Sequence, residues 1–163
     1  MSWHGKPLIL LLMLVLSGCG FSPLYAPDTQ QAVSFDHIAI AAIADRDGQI
    51  LRNALIDRMY VNESPVSPTH VLTVTLTGHL VDMGIRKDAT ATRAQLKLEA
   101  DFALALVESG ESILSGHERV ISGTNILDSE FGTLVAERNA RDRALVVLAD
   151  RITNRLALYL SNE

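Results

Sequence analysis

The sequence predicts an α+β fold, in which a small, mostly antiparallel or mixed four-stranded sheet carries two helices on one face. Three observations support this prediction. A strand-like alternation with a period of two runs through the middle of the chain, a helical repeat occupies its last quarter, and a short apolar run followed by another helical pattern precedes both. The predicted order of elements is therefore β-α-β-β-β-α, and the 163 residues suffice for one such domain.

The first strand and the first helix are predicted from the apolar run and the pattern after it. His37 to Ala44 is a short apolar run bounded by Asp and Gly, most simply a buried strand. Asp45 to Gly48 offers a turn and a candidate helix N-cap. Beyond it, one helical face is apolar and comprises Ile50, Leu51, Ala54, Leu55 and Met59. This helix should end before the loop from Asn62 to Pro68.

Three antiparallel strands are predicted next. From Val71 onward one face of the first of them carries Leu72, Val74, Leu76, Gly78 and Leu80. The alternation is strongest in the second, whose predicted buried positions are Ala94, Leu96, Leu98, Ala100, Phe102, Leu104 and Leu106. Glu108 to Glu111 should form a hairpin turn, and Ile113 to Ser122 should return as the third strand.

The C-terminal part of the chain is predicted to be helical. Asp128 or Ser129 is the expected cap, and Glu137 and Arg141 are spaced to form an i, i+4 ion pair. Gly132 and the junction around Asn139 are candidate break points that would divide this helix into two pieces. The apolar positions that repeat at three- and four-residue steps are Leu134, Leu145, Leu148, Ile152, Leu156, Tyr159 and Leu160.

The first 18 residues have the features of a secretory signal peptide. Leu8 to Leu16 is a continuous apolar run, too short to span a membrane but long enough for an h-region, and Lys6 precedes it. Leu16-Ser-Gly-Cys19 then matches the lipobox of bacterial lipoproteins, which implies cleavage before Cys19 and a covalent lipid, including palmitate, on that residue. The alternative is an ordinary signal peptide with an incidental cysteine. Residues 19–35 are interpreted as a lipidated tether, and Gly20, in place of the Asp that retains lipoproteins at the inner membrane, favours the outer membrane.

Composition and spacing argue against several classes of function. Removal of residues 1–18 takes away one basic residue, Lys6, so that 13 basic residues face 19 acidic ones and the mature net charge is −6. This balance does not favour nucleic acid as a partner. The histidines lack metal-ligand spacing, and the chain shows no nucleophile motif or phosphate-binding glycine loop. The sequence therefore indicates neither an enzyme nor a cofactor, apart from the lipid.

One basic cluster contrasts with the acidic background. Arg86, Lys87, Arg93 and Lys97 are opposed only by Asp88, which gives a local net charge of +3. Such a patch suits an anionic ligand, for example a phosphorylated lipid. The alternative is a solvated sheet edge, since Lys and Arg also protect edges against aggregation.

Several segments carry a resemblance to a known family. The mature start Cys19-Gly-Phe-Ser-Pro-Leu-Tyr25 resembles the start of the lipopolysaccharide-assembly lipoprotein family, LptE, in its alphaproteobacterial form. Other similar stretches are Gln49 to Leu55, Asp88 to Arg93 and Ala136 to Ala144, so the resemblance extends over most of the mature chain. It identifies residues 36–163 as a single α+β domain of that family.

The resemblance implies a role in outer-membrane biogenesis of Gram-negative bacteria. Members of the family sit in the outer membrane on its periplasmic side, where they plug and help assemble the β-barrel that translocates lipopolysaccharide. They also contact lipopolysaccharide on its way to the surface, which makes Arg86, Lys87, Arg93 and Lys97 expected ligand contacts. The mature charge of −6 departs from a picture of binding through overall charge. The alternative function is an auxiliary lipoprotein of an ABC-type envelope lipid transporter.

Overall fold

The structure is a computed structural model that describes residues 34–60, 64–85, 91–125 and 129–162. These residues belong to one compact unit. In chain order the elements are β1 (Ile38–Ile40), α1 (Asp45–Met59), β2 (His70–Ile85), β3 (Ala91–Leu106), β4 (Ser112–Asn125) and α2 (Glu130–Leu160). The predicted α+β class and the order β-α-β-β-β-α are confirmed.

The four strands form one mixed sheet in the order β1-β2-β3-β4. β1 runs parallel to β2, whereas β2, β3 and β4 are antiparallel neighbours. The β3–β4 turn lies where the sequence predicted it, and Gly110 adopts a φ of 71° there, a conformation that glycine reaches without strain. β1 is connected to β2 through α1, because parallel strands need a long crossover connection.

The two faces of the sheet differ as the alternation predicted. The even-numbered residues of β3 from Ala94 to Leu104 are buried, and Leu96, Leu98 and Leu104 have no exposed surface. Leu106, which was also predicted to be buried, is partly exposed at the end of the strand. Both helices contribute side chains to the same core, which contains Leu51 and Leu55 of α1 and the α2 residues Leu145, Leu148, Ile152 and Leu156. The helices therefore pack on the even-numbered face. The opposite face, which we call the open face, is formed by odd-numbered residues of β2, β3 and β4.

β2 departs from its predicted burial in its second half. Leu72 and Val74 are buried, but Gly78, His79, Leu80 and Val81 are all exposed. The reason is length: sixteen strand residues extend over about 53 Å, whereas the fifteen residues of α1 cover about 22 Å. α1 is thus too short to cover the whole of β2, and the longer helix α2 packs against β3 and β4 rather than β2.

The start of α1 differs from the prediction. Asp45 to Gly48 form its first turn rather than a turn before it, and the N-cap is Ala44, whose side chain makes no capping hydrogen bond. Gly48 packs against the preceding loop, where a Cβ atom would lie 2.7 Å from Cγ2 of Ile43. The missing side chain at Gly48 thus allows the loop to approach the helix, and the residue is not a helix breaker here.

α2 is a single helix of 31 residues, so the predicted break at Gly132 or Asn139 is wrong. Gly132 lies in the first turn, where its N–H donates to the Oγ of the N-cap residue Ser129 at 3.3 Å. The other cap candidate, Asp128, is outside the described residues. One side of the helix is buried from Ala140 to Leu156. No helix in the described part of the chain combines the length and apolar character needed to cross a membrane.

Candidate functional site

Of the predicted site residues, Lys97 is the one whose side chain the structure describes. It is half-buried on the open face of β3, between His79 of β2 and Ile121 of β4. Its outward orientation agrees with the predicted alternation of buried and exposed residues along β3. The backbone of Arg93 pairs with Met83 and Asn125 further along the sheet, but the Arg93 side chain is outside the described part.

Cys19, Arg86 and Lys87 are also outside the described residues. Arg86 and Lys87 belong to the connection between Ile85, the end of β2, and Ala91, the start of β3. That Arg86 and Lys87 form one basic cluster with Lys97 remains a prediction.

The middle of the open face is polar and is organised in rows across three strands, whereas Val81 and Ile121 add exposed apolar surface to the same face. One row consists of Thr75, Asp101 and His117, and the next consists of Thr77, Glu99 and Arg119. His117 Nδ1 lies 2.8 Å from Oδ1 of Asp101, a cross-strand contact between exposed side chains. Both helices pack on the other face, so this surface is available to a partner or to solvent.

Arg141 links the two helices on the core side. Its Nη1 donates to Oδ2 of Asp47 in α1 at 2.8 Å, and its Nη2 donates to Oε1 of Glu137 in α2 at 3.0 Å. Burial alone would lower the pKa of Arg141, but the two hydrogen bonds and the attraction of both carboxylates outweigh it and raise the pKa above its ordinary value. The predicted Glu137–Arg141 pair is confirmed, whereas sequence spacing could not show the contact to Asp47.

A cleft of about 250 Å³ lies beside this link, between the start of α1 and the first turns of α2. It is lined by Arg46, Asp47, Ile50, Leu134, Glu137, Arg138, Arg141 and Asp142. Leu134, which was predicted to face the core, is 59% exposed. Within the described residues, neither Arg46 nor Arg138 forms an ion pair with a carboxylate.

These surfaces are suited to binding. Among the described residues, no group of three or more His, Cys, Asp and Glu side chains is arranged to hold a metal ion. The polar groups lie on an open sheet face and in a shallow cleft, in cross-strand and interhelical pairs. The fold and its surfaces thus define a class: a small α+β domain with one open, largely polar sheet face and a cleft lined by charged residues between its helices.

The family comparison is more specific than the geometry. The model of the LptE family, described as lipopolysaccharide-assembly, matches residues 35–156. This span covers most of the chain, so the protein belongs to the LptE family of lipopolysaccharide-assembly lipoproteins. No curated protein matches the chain.

Solved structures share the fold. A lipoprotein from Caulobacter crescentus superposes with a TM-score of 0.65 at 20% identity, covering 80% of this chain and 95% of its own. Rare lipoprotein B from Shewanella oneidensis gives a TM-score of 0.61 at 14% identity, with coverage of 77% and 96%. A minor lipoprotein from Acinetobacter baumannii gives 0.57 at 14% identity, with coverage of 77% and 94%. At these identities the likeness concerns the fold alone.

Proposed function

We propose that this protein is a lipid-anchored outer-membrane lipoprotein, on the periplasmic side, that plugs and helps assemble the β-barrel which translocates lipopolysaccharide. In this role it contacts lipopolysaccharide during delivery to the cell surface. The observation that carries the proposal is the match of the LptE family model to residues 35–156.

The surface of the domain supports the role of a plug. The lumen of a porin-type barrel is polar, so a domain that fills it needs a compact core and a polar exterior. The open face meets this requirement with threonines on β2, acidic residues on β3 and His117 and Arg119 on β4.

The anchor of this domain is the proposed lipid on Cys19. Fourteen residues lie between Cys19 and Ser34, where the described chain begins, and such a segment can reach at most about 50 Å. Two or more acyl chains give stable attachment, whereas one does not. Cys19→Ser should leave an uncleaved precursor that incorporates no labelled palmitate, and incorporation into this variant would contradict the anchor assignment.

The role in assembly is tested by depletion. If the protein supports its barrel, its depletion should lower the amount of assembled barrel in the outer membrane before other lipoproteins decline. Immunoblots of folded and unfolded barrel under semi-native conditions measure this. Unchanged barrel levels together with defective phospholipid transport would instead support the auxiliary transporter function.

Contact with lipopolysaccharide is proposed for Arg86, Lys87, Arg93 and Lys97. Phosphates attract a local +3 cluster even on an acidic protein, because charges beyond about 8 Å are screened at physiological salt. Charge-assisted hydrogen bonds contribute about 1.5–3 kcal/mol each, so the double variant Arg86→Asp, Lys87→Asp should weaken binding by about tenfold or more.

The matched control for this experiment reverses Arg143 and Arg155, which are exposed on α2. Arg151 is unsuitable because its Nη1 donates to the backbone oxygen of Arg119. The melting curves of both double variants should resemble that of the wild type. Equal losses of lipopolysaccharide binding from both pairs would indicate diffuse electrostatics rather than a site.

A further inference from the structure

We draw no further inference here: the strongest candidate, the outer edge of β2 beyond Leu72, has no neighbouring strand in the described part of the chain, and nothing in the structure shows what covers it.

Discussion

At the scale of single residues, Phe102 shows how closely the core is packed. Its side chain is 3% exposed and faces Gly116 across the β3–β4 pair, where an added Cβ atom would lie 2.5 Å from Cζ of the ring. The absence of a side chain at Gly116 creates the space that the ring occupies. Phe102 and Gly116 therefore form one packing unit.

This packing leads to a stability prediction. Phe102→Ala should lower the free energy of unfolding by about 3–5 kcal/mol, because it leaves a cavity that the neighbouring strands cannot fill. Lys97→Ala, on the open face of the same strand, should change it by about 0.5 kcal/mol or less. Urea unfolding measures both. Similar losses from the two variants would show that the burial difference does not decide stability.

The sequence predicted single residues well where the deciding information is local. The alternation in β3 correctly placed Phe102 inward and Lys97 outward, because parity depends only on the pleat of the strand. The space at Gly116, the approach of Ile43 to Gly48 and the Asp47–Arg141 hydrogen bond depend on segments far apart in the chain. Single-sequence patterns contain no information about such partners.

At the scale of elements, Arg141 is the main polar link between α1 and α2. It bonds to one carboxylate on each helix and is 27% exposed. The other interhelical ion pair, Arg58–Asp150, is more open, since Asp150 is 52% exposed. Exposed ion pairs contribute little to stability, so the two links should differ in strength.

We therefore predict that Arg141→Met lowers the free energy of unfolding by about 1–3 kcal/mol, since it leaves Asp47 and Glu137 without their shared donor. Arg58→Met should cost about 1 kcal/mol or less, because its partner is solvated. Chemical denaturation of the two variants tests the difference. An equal cost would mean that Arg141 acts as an exposed surface charge.

The order of the elements could be predicted from the sequence. The lengths of the strands, and how much of each apolar face another element buries, could not. The change from helical to strand period located β2, β3 and β4 correctly, yet β1 is shorter than the apolar run that predicted it, and β4 is longer. The exposed Leu80 and Leu134 were assigned to the core because their spacing fits it. Both side chains are exposed, and the local pattern of a strand or a helix does not show how much of its apolar face another element covers.

At the scale of the whole molecule, the sequence and the structure differ over where the core begins. Phe35, which the sequence placed in the tether, is 9% exposed and belongs to the core cluster, and its oxygen accepts from the N–H of Ile38 at 3.0 Å. A domain that starts at Ser34 should therefore be more stable than one that starts at His37, by about 1.5–3 kcal/mol. Thermal and urea unfolding of the two truncated proteins test this, and equal stability would show that Phe35 contributes nothing.

Part of the candidate site could be predicted from the sequence, and part could not. The basic cluster could be found from the sequence because its members are close along the chain, whereas the cleft combines residues that only the fold brings together. Arg46 and Arg138, for example, are more than 90 residues apart in sequence and line one cleft.

The parallel pairing of β1 with β2 has a kinetic consequence. β2, β3 and β4 are joined by hairpins and form contacts between near neighbours in the chain, whereas Ile38 meets His70 only after about 30 intervening residues are closed into a loop. Local contacts form faster than distant ones, so we expect the meander to appear early and β1 to dock late. Conservative substitutions at Ile40 should then mainly accelerate unfolding, whereas those at Leu98 should also slow refolding. Until β1 docks, the whole outer edge of β2 is unpaired, so a folding chain passes through a state in which this edge can associate with another chain.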